Sequence, residues 1–307
     1  MSKPRSNRRQ IDGVLLIDKP YDISSNNALQ KARWLLNAAK AGHTGVLDPL
    51  ATGLLPACFG DATKFSSYLL DADKGYRATV KFGVVTTTGD VEGEVVSERE
   101  VAFGLAELQA AIERFRGEIS QVPPMYSALK HQGKPLYEYA RAGIEIPREA
   151  RQVTIHKLEL LSFDGVSAEI DVVCSKGTYI RTLACDIGEA LGCGAHLTAL
   201  RRTATGGFSL DEAHALADVE ALDMAGREAL LLPMDVLVRH FPDTELDENA
   251  AGKFNHGQPV LFAGKYEKMQ RFRVYHQANR KFLGLGEARD DGRLHPIRLL
   301  AVKAETP

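Results

Sequence analysis

The chain has 307 residues, of which 44% are hydrophobic and 25% charged, and its formal net charge at pH 7 is −2. This length accommodates one large domain, or a large and a small one, with a sizeable core. The composition is that of an ordinary globular protein, no apolar stretch is long enough to span a bilayer, and residues 1–9 lack the apolar segment of a secretory signal. These features argue against a membrane-spanning or secreted protein and favour a cytoplasmic one.

The chain contains four cysteines, and none belongs to a C-x-x-C pair or stands at a zinc-ligand spacing from a histidine. We expect buried or incidental thiols in a reducing compartment, and we predict no structural metal. The cysteines are Cys58, Cys174, Cys185 and Cys193.

The first two-thirds of the chain alternates between strand and helix patterns. Tyr76, Ala78, Val80 and Phe82 occupy every second position, as on one face of a strand. Such an alternation, with hairpins, predicts a mixed, largely antiparallel α/β sheet. The predicted elements are a strand at 14–17, a helix at 27–39 capped by Ser24 or Ser25, a helix at 61–70, strands at 76–85 and 94–97, a helix at 103–115, strands at 153–163 and 167–174 joined by a tight turn, and a helix at 178–190.

The segment GHTGVLDPLATGLLP at residues 42–56 places one carboxylate, Asp48, in a loop with apolar residues on both sides. Pro49 disfavours helical geometry at Asp48. An acid held in a shaped, partly apolar loop suits a nucleophile or a general base. The alternative is structural: Asp48 ends the loop and caps a helix whose first residue is Pro49.

Residues 121–150 form a long segment between predicted strands, and such a segment is functional or mobile. It contains five bases interleaved with three tyrosines. Basic side chains that bind phosphates and aromatic rings that stack on nucleobases suit an RNA surface, although an ordinary surface helix and loop would look similar. The residues are Lys130, His131, Lys134, Arg141 and Arg148 with Tyr126, Tyr137 and Tyr139.

Charge is unevenly distributed beyond residue 208. Residues 209–250 hold eleven acids and two bases, a net charge of −9, whereas residues 252–281 hold seven bases and one acid, a net charge of +6. The basic segment either gives one face a potential that attracts a phosphate backbone or consists of separate solvated charges. The acidic stretch is helical in pattern, and a small β-barrel is predicted after it, with strands at 259–261, 272–275, 282–288 and 294–302.

Four segments together resemble the TruB family of tRNA pseudouridine synthases, in the order in which that family has them. The resemblance covers residues 11–210 well and the remainder more loosely. Four ordered motifs are far more specific than any one of them. The segments are GVLLIDKP at 13–20, the loop at 42–56, KGY at 74–76 with FGVVTTTGD at 82–90, and SKGTYIRTLA at 175–184.

The resemblance implies a pseudouridine synthase fold with a C-terminal RNA-binding module. Residues 1–10 would be a disordered tail, and residues 11–210 the catalytic domain, with an RNA-binding insertion at about 121–150 that lies against the tRNA arm. Residues 211–248 would form an acidic helical linking subdomain, and residues 249–307 a PUA-like domain with a small β-barrel.

The resemblance also implies isomerisation of uridine 55 in the TΨC loop of tRNA to pseudouridine. This reaction breaks the C1′–N1 bond, rotates the uracil and joins C5 to C1′, which is redox-neutral and needs no cofactor. The uridine must be flipped out of its stack at a cost of a few kcal/mol. We expect the TΨC stem-loop as partner, no metal and no membrane, and a monomer.

The site implied by the resemblance is centred on Asp48 as the catalytic residue. Tyr76 stacks on the extruded uracil, and its hydroxyl can accept or relay a proton. Tyr179 hydrogen-bonds nearby, His43 fills the place that the base vacates, and Leu200 packs near the ribose or base. Sequence alone leaves open whether Asp48 attacks C6, attacks C1′ or abstracts a sugar proton.

Three further residues are expected to support the site. Because an aspartate in an apolar loop tends to protonate unless a cation holds it ionised, Arg181 is the best candidate for a bidentate partner of Asp48, and the third motif of the family gives its arginine the same role. Lys64 and Asp90 lie within matched motifs, and we assign them supporting or RNA contacts.

Three other functions remain open on the sequence. A guide-RNA-dependent catalytic subunit, as in dyskerin-like relatives, is disfavoured by the insertion and by the lack of long basic tails. A non-catalytic RNA-binding or RNA-folding protein would not need Asp48, because a carboxylate weakens phosphate binding. A glycoside hydrolase usually needs two carboxylates, and only one convincing acid is found.

Overall fold

The computed structural model describes residues 8–263 and 265–301. Most of the expected disordered tail, residues 1–7, lies outside the described residues. Arg9, however, forms a bridge with Ala38, and its amide donates to Asn37 O at 2.8 Å. The chain is therefore held in place from residue 9, so a disordered tail reaching residue 10 is too long.

Strands contain more of the described residues than helices do, and they form two main sheets and two short hairpins. They are β1 Gly13–Lys19, β2 Ala41–His43, β3 Thr52–Phe59, β4 Lys74–Phe82, β5 Val84–Thr86, β6 Val95–Glu98, β7 Gly117–Gln121, β8 Lys130–His131, β9 Lys134–Pro135, β10 Arg151–Phe163, β11 Ser167–Cys174, β12 Ala195–Thr205, β13 Phe208–Ser209, β14 His214–Ala215, β15 Asp243–Leu246, β16 Val260–Leu261, β17 Arg271–His276, β18 Phe282–Arg289 and β19 Arg293–Leu299.

Helices are short and lie between the strands. None within the described residues is long and apolar enough to cross a membrane. The α-helices are α1 Ser25–Leu35, α2 Ser67–Leu70, α3 Leu105–Glu113, α4 Leu136–Arg141, α5 Ile180–Ala190, α6 Leu216–Ala221, α7 Met224–Ala229 and α8 Glu248–Asn255, and single turns of 3₁₀ helix occur at Gly60–Lys64, Leu210–Glu212 and Met234–Val238.

The larger sheet is mixed and largely antiparallel, as predicted. Its strand order is β14-β1-β3-β12-β4-β11-β10-β7, with β2 attached to β3 and β13 to β12. Only two neighbouring pairs among these described strands are parallel, β1 with β14 and β3 with β12. The predicted hairpin of β10 and β11 is confirmed. Strand β4 lies at the centre, between β12 and β11.

Both faces of β1 and β3 are buried, which explains their nearly continuous apolar sequences. Leu15 and Ile17 pack on the face covered by α1, whereas Val14 and Leu16 pack on the opposite face with residues of the C-terminal sheet. The smaller sheet, in the order β15-β17-β18-β19-β16, thus packs on the back of the larger one. Phe65 and Phe282 meet there with ring centroids 5.4 Å apart.

Two helix predictions differ from the structure. The helix expected at 61–70 is broken into a 3₁₀ turn and α2. Backbone amides here, such as Phe65 N, donate to the carbonyl three residues earlier, Ala62 O, rather than four residues earlier as in an α-helix. This tighter path buries Phe65 fully against the second sheet. The acidic stretch at 211–248 is likewise not a helical unit: it contains α6, α7, two 3₁₀ turns and strands β14 and β15.

Strand β15 belongs to the smaller sheet, in which it pairs in parallel with β17. That sheet therefore begins at Asp243, within the range that the sequence assigned to a linking subdomain. The strands predicted at 272–275 and 282–288 correspond to β17 and β18, and the one predicted at 294–302 corresponds to β19 as far as Leu299. Residue 302 lies outside the described residues.

The basic segment at 252–281 does not form a free positive surface. Arg280 pairs with Asp243 and Glu245, and Arg273 with Asp243, so strand β17 and its loop face acids of β15. Lys268 and Arg271 pair with Asp290 and Glu287. Four of the seven basic residues thus form ion pairs with acids that are distant in the sequence and become neighbours in the folded chain.

Candidate active site

The loop that carries Asp48 is fixed to helix α1. Ser25, which is 2% exposed, accepts from the amide of Leu47 at 2.7 Å and donates to its carbonyl at 3.0 Å. The amide of Ala51 donates to Asp48 O at 3.1 Å, and the chain continues directly into β3. Since no helix follows, the helix-capping interpretation of Asp48 is wrong. Ser24 caps α1 by accepting from Asn27 N at 3.1 Å.

Arg181 connects the Asp48 loop with the turn after β5. Its Nε lies 3.0 Å from Asp48 Oδ2 and 3.5 Å from Asp90 Oδ2. The guanidinium also donates to Thr88 O at 2.9 Å and Tyr126 O at 2.7 Å. Its side chain is 6% exposed, so a fully partnered cation is buried between two carboxylates. Arg181 thus contacts Asp48 through Nε, whereas its two Nη groups bind carbonyls, so the contact differs from the bidentate pairing that the sequence predicted.

Asp90 is a fixed buried acid rather than an RNA-facing one. Its side chain is 2% exposed. Oδ1 accepts from Thr88 Oγ1 at 2.5 Å and from Glu92 N at 3.0 Å, and Oδ2 faces Arg181. Asp90 therefore orients the guanidinium, which in turn faces Asp48.

Opposing effects act on the pKa of Asp48. Burial raises this pKa above its ordinary value, the Arg181 cation lowers it, and the negative charge of Asp90 raises it again. The side chain keeps 36% of its surface exposed, on the side that opens into the adjacent cavity. Asp48 is thus a carboxylate close to a cation, and burial makes it protonate at a higher pH than an ordinary aspartate does.

A cavity of about 180 Å³ opens beside Asp48. Pockets for drug-sized ligands span about 300–1,000 Å³, so this one suits a single small ring system. Tyr76 and Leu200, each 8% exposed, come from β4 and β12 and form one wall, while Tyr179 stands at the start of α5. Its lining residues are Val46, Leu47, Asp48, Tyr76, Ser127, Ala128, Thr178, Tyr179, Ile180, Arg181 and Leu200.

Tyr179 is held through its backbone by a residue that the sequence did not single out. Gln121, which is 2% exposed, accepts from Tyr179 N at 3.1 Å and donates to Tyr179 O at 3.3 Å. The Tyr179 ring is left to face the cavity. Burial raises the pKa of both Tyr179 and Tyr76, so both phenols are neutral at physiological pH.

A buried arginine, Arg202, lies behind Tyr76. It is 1% exposed, its Nε donates to Leu54 O at 2.7 Å, and its charge opposes the effect of burial on the pKa of Tyr76. Burial and the same charge lower the pKa of His43. His43 lies on β2 outside the cavity lining, and its buried Nδ1 has no hydrogen-bond partner among the described residues.

Lys19 is a further residue that the sequence left without a role. Its side chain is completely buried, and its ammonium donates to Pro20 O at 2.9 Å, Ile23 O at 2.7 Å and Pro49 O at 3.2 Å. The last contact fixes the residue after Asp48. Burial lowers the pKa of Lys19 to about 8, against the attraction of Asp48.

Lys64 is placed away from this cluster. It pairs with Asp61 at 3.1 Å and donates to Leu299 O at 3.1 Å, at the contact between the two sheets. The eight residues of β3 separate it from the Asp48 loop, which is a distance of about 26 Å at the rise of a strand. The geometry gives Lys64 a role in joining the sheets.

The arrangement offers one ionisable carboxylate, a cation that opposes its protonation and two phenols around a small cavity. Among the described residues no group of three or more His, Cys, Asp or Glu side chains is placed to hold a metal ion. The four cysteines are free thiols. The chemistry available to these side chains is proton transfer and nucleophilic attack by a carboxylate.

Comparison with known proteins identifies the class. The N-terminal domain of TruB family pseudouridylate synthase matches residues 33–180, and two C-terminal domains of the same enzymes match residues 181–239 and 242–300. A solved chain in a Cbf5–Nop10–Gar1 complex superimposes with a TM-score of 0.71 at 25% identity, over 94% of this chain and 84% of that one. The fold is that of a pseudouridine synthase, and the family is one of isomerases.

Curated relatives are similar over their whole length. A tRNA pseudouridine synthase B of Chromobacterium violaceum is 84% identical over 305 residues, which cover 99% of this chain and 100% of that protein. One of Thiobacillus denitrificans is 58% identical over 294 residues, which cover 96% and 97%. The chain belongs to the TruB family of pseudouridylate synthases, which confirms the resemblance drawn from its four motifs.

Proposed function

We propose that this chain is a stand-alone enzyme that isomerises uridine 55 in the TΨC loop of tRNA to pseudouridine. The observation that carries the proposal is the Asp48–Arg181 pair at 3.0 Å on the wall of a cavity sized for one base. The names of the relatives from Chromobacterium violaceum and Thiobacillus denitrificans support tRNA as the substrate.

The cavity supports a mechanism in which the uridine is flipped out of its stack. A base buried in a folded loop cannot reach Asp48, and flipping costs a few kcal/mol that contacts in the cavity must offset. Tyr76 offers a ring face for stacking, and Leu200 an apolar contact beside it. A neutral Tyr76 hydroxyl can donate or relay a proton.

Asp48 is the group that acts on the nucleotide. As a carboxylate it bonds to C6 or C1′, or removes a proton from the sugar, and the C1′–N1 bond breaks with its electron pair left on the uracil. The uracil rotates and C5 joins C1′, after which the bond to Asp48 breaks again or the sugar proton is returned. The proton on C5 leaves to a base and N1 takes up a proton, so the product is an isomer and no electrons are gained or lost. Arg181 keeps Asp48 ionised and oriented for this step.

The test is release of tritium from a tRNA transcript labelled at uracil C5, by the isolated wild-type chain and by Asp48→Asn. We expect release with the wild type and none with the variant, and none from a transcript with cytidine at position 55. Asp290→Asn is the matched control, because this acid pairs with Lys268 on the smaller sheet and its loss should leave release unchanged.

A guide-dependent catalytic subunit is the second candidate, because the superimposed solved chain belongs to a Cbf5–Nop10–Gar1 complex. No tritium release by the isolated chain, despite salt-sensitive binding of the transcript, would favour that function or a role in RNA folding over the stand-alone enzyme.

A further inference from the structure

Arg202 is a buried cation beside the site that no step of the isomerisation described above uses. It is 1% exposed, and within the described part of the chain no carboxylate forms an ion pair with it. An arginine cannot avoid burying its charge by losing a proton. A buried cation without a carboxylate costs free energy unless another group offsets its charge, so the neighbours of Arg202 indicate what this charge does.

The strands around Arg202 fix the position of its guanidinium. The parallel register of β3 and β12 ends at Gly53 and Arg202, and the next carbonyl of β3, Leu54 O, accepts from Arg202 Nε at 2.7 Å. Nη1 lies 3.5 Å from the point that a Cβ on Gly45 would occupy. The guanidinium is therefore held between β3, β12 and the loop that carries Asp48.

Tyr76 is the direct partner of Arg202 on the neighbouring strand. The two residues are opposite each other in the antiparallel register of β12 and β4, so their side chains leave the same face of the sheet with Cβ atoms about 5 Å apart. Leu200, which precedes Arg202 by two positions, lines the cavity together with Tyr76, whereas Arg202 does not line it. The Tyr76 phenol is thus the group through which this cation can act on a bound nucleotide.

The charged groups around Tyr76 act on its phenol in opposite directions. Burial raises the pKa of the phenol, and the charges of Cys174 and Asp48 raise it further, whereas the charge of Arg202 and a hydrogen bond from it lower this pKa. The same cation disfavours protonation of the basic side chains near it, which are His43, Lys74 and Lys19. Tyr76 is the ionisable neighbour whose charged form Arg202 stabilises.

We propose that Arg202 is a positioning residue that holds the Tyr76 hydroxyl and stabilises its phenolate, so that Tyr76 removes the proton from C5 once C5 has joined C1′. The phenol gives its own proton to water, the phenolate takes the proton from C5, and the electron pair of the C5–H bond re-forms the C5–C6 double bond. N1 takes up a proton from water, so the product is neutral. This role rests on the proposed function for the reaction itself, in which Asp48 still acts on the nucleotide first.

The first test compares single-turnover rates of the full-length chain on tRNA with hydrogen or deuterium at C5 of the target uridine. Arg202→Met removes the charge at a similar length, and Arg202→Lys keeps a charge. We expect Arg202→Met to slow pseudouridine formation about tenfold with little change in affinity for tRNA. The slowing by deuterium should be larger in this variant than in wild type, because removal of the C5 proton becomes the slow step. Arg202→Lys should recover part of the rate.

A double-mutant cycle tests whether Arg202 acts through the Tyr76 hydroxyl. Tyr76→Phe keeps the ring and removes the hydroxyl, so Arg202→Met should slow the wild type but cause no further slowing in Tyr76→Phe. Arg77→Met is the matched control, because Arg77 follows Tyr76 on β4 but lies on the opposite face, with its side chain 54% exposed. It should leave both the rate and the isotope effect unchanged.

A fluorinated tyrosine in place of Tyr76 supplies a readout that a purely structural role of Arg202 would not move. The fluorine resonance reports ionisation of this one phenol in the free protein. We expect the pKa of the phenol to be higher in Arg202→Met than with Arg202 present, since the cation that stabilises the phenolate is lost. Because fluorination makes the phenol more acidic, it should also restore part of the rate of Arg202→Met.

The outcomes separate failure of this role from failure of the proposed function. If the wild type converts uridine 55 but Arg202→Met slows Tyr76→Phe as much as wild type, with no change in the isotope effect, Arg202 serves packing alone and the function stands. If the wild type converts no uridine in tRNA, the proposed function fails, and an equal pKa of the fluorinated phenol with and without Arg202 overturns the pairing as well. Where Arg202→Met does not fold, Arg202→Gln, which can still donate to Leu54 O, takes its place in every comparison.

Discussion

At the scale of single residues, the site depends on one guanidinium shared by two carboxylates. Arg181 stands in the first turn of α5, where the helix dipole disfavours a cation. Its placement therefore has to come from Asp48, Asp90 and the two carbonyls that it binds. The arrangement leaves Asp48 with a charge partner on one side and open space on the other, as a reacting carboxylate requires.

Two substitutions of Arg181 should separate the effect of its charge from the effect of its hydrogen-bond geometry. Arg181→Gln removes the cation that lowers the pKa of Asp48, so this pKa rises further above its ordinary value. Since activity needs the carboxylate, which predominates above the pKa, the acid limb of kcat/KM should move to higher pH by about one unit or more. Arg181→Lys keeps a positive charge but loses the planar set of donors that binds Asp48 and two carbonyls together. It should therefore lower kcat, with a smaller shift of the acid limb of kcat/KM.

The control for this prediction is Arg99→Gln, which removes an exposed arginine paired with Glu189. Its pH profile should coincide with that of the wild type. An acid limb that stays in place in Arg181→Gln would mean that Arg181 does not act on the ionisation of Asp48.

Lys19 gives a second prediction at this scale. Lys19→Met fills a similar volume but leaves the carbonyls of Ile23 and Pro49 without the ammonium. We expect kcat to fall about tenfold, because the loop that carries Asp48 loses a charged hydrogen bond, with a smaller change in KM. Lys31→Met, at an exposed lysine paired with Glu220, should behave as wild type in the same steady-state assay. A change confined to KM would place Lys19 in substrate binding instead.

At the scale of elements, strands β3 and β12 meet at a glycine. Gly53 of β3 lies against the backbone of Arg202 in the parallel pair β3–β12. A Cβ at Gly53 would come within 2.3 Å of Arg202 O, and the backbone has φ +101°. Close approach here brings β3, which follows the Asp48 loop, beside the strand that carries Leu200.

Gly53→Ala should therefore destabilise the protein for two reasons, backbone strain and a clash. Gly165→Ala is a matched control, because Gly165 has φ +99° but nothing within 4 Å of a Cβ. We expect the free energy of unfolding in urea to fall by roughly 1 kcal/mol for Gly165→Ala and by about 3 kcal/mol or more for Gly53→Ala. Equal losses would show that β3 and β12 can separate without cost.

At the scale of the whole molecule, an apolar contact joins the two sheets. Phe65 and Tyr275 both pack on Phe282, each with its ring centroid 5.4 Å from that of Phe282. At the edge of this contact, Lys64 donates to Leu299 O, and the carboxylate of Asp61 accepts from Ala301 N. The smaller sheet is thus packed on the back of the catalytic sheet through side chains of both.

Phe282→Ala should weaken this contact selectively. The loss of a buried aromatic ring costs about 3–5 kcal/mol, and we expect urea unfolding to separate into two transitions as the smaller sheet detaches. Phe262→Ala is the comparison, since Phe262 packs on Phe272 inside the smaller sheet. It should destabilise that sheet alone. A single cooperative transition in Phe282→Ala would mean that other contacts suffice to couple the sheets.

The sequence by itself determined the family and the principal pair of the site. Its four motifs are local, so their residue types and order can be read without the fold, and the strand and helix periodicities around them predicted the mixed sheet. Asp48 and Arg181 were found because a carboxylate in an apolar loop requires a cation, and the motifs contained one.

Only the tertiary structure decided which side chains meet across long stretches of chain. Ser25, Lys19 and Gln121 support the site through contacts with loops 22 to 58 residues away, and no local pattern predicted these contacts. For the same reason, Lys64 lies at the contact between the sheets, and four bases of the basic segment pair with acids of β15, of β18 and of the turn after β18. Periodicity reports which face of an element is buried, but the partner on that face is set by how distant segments pack.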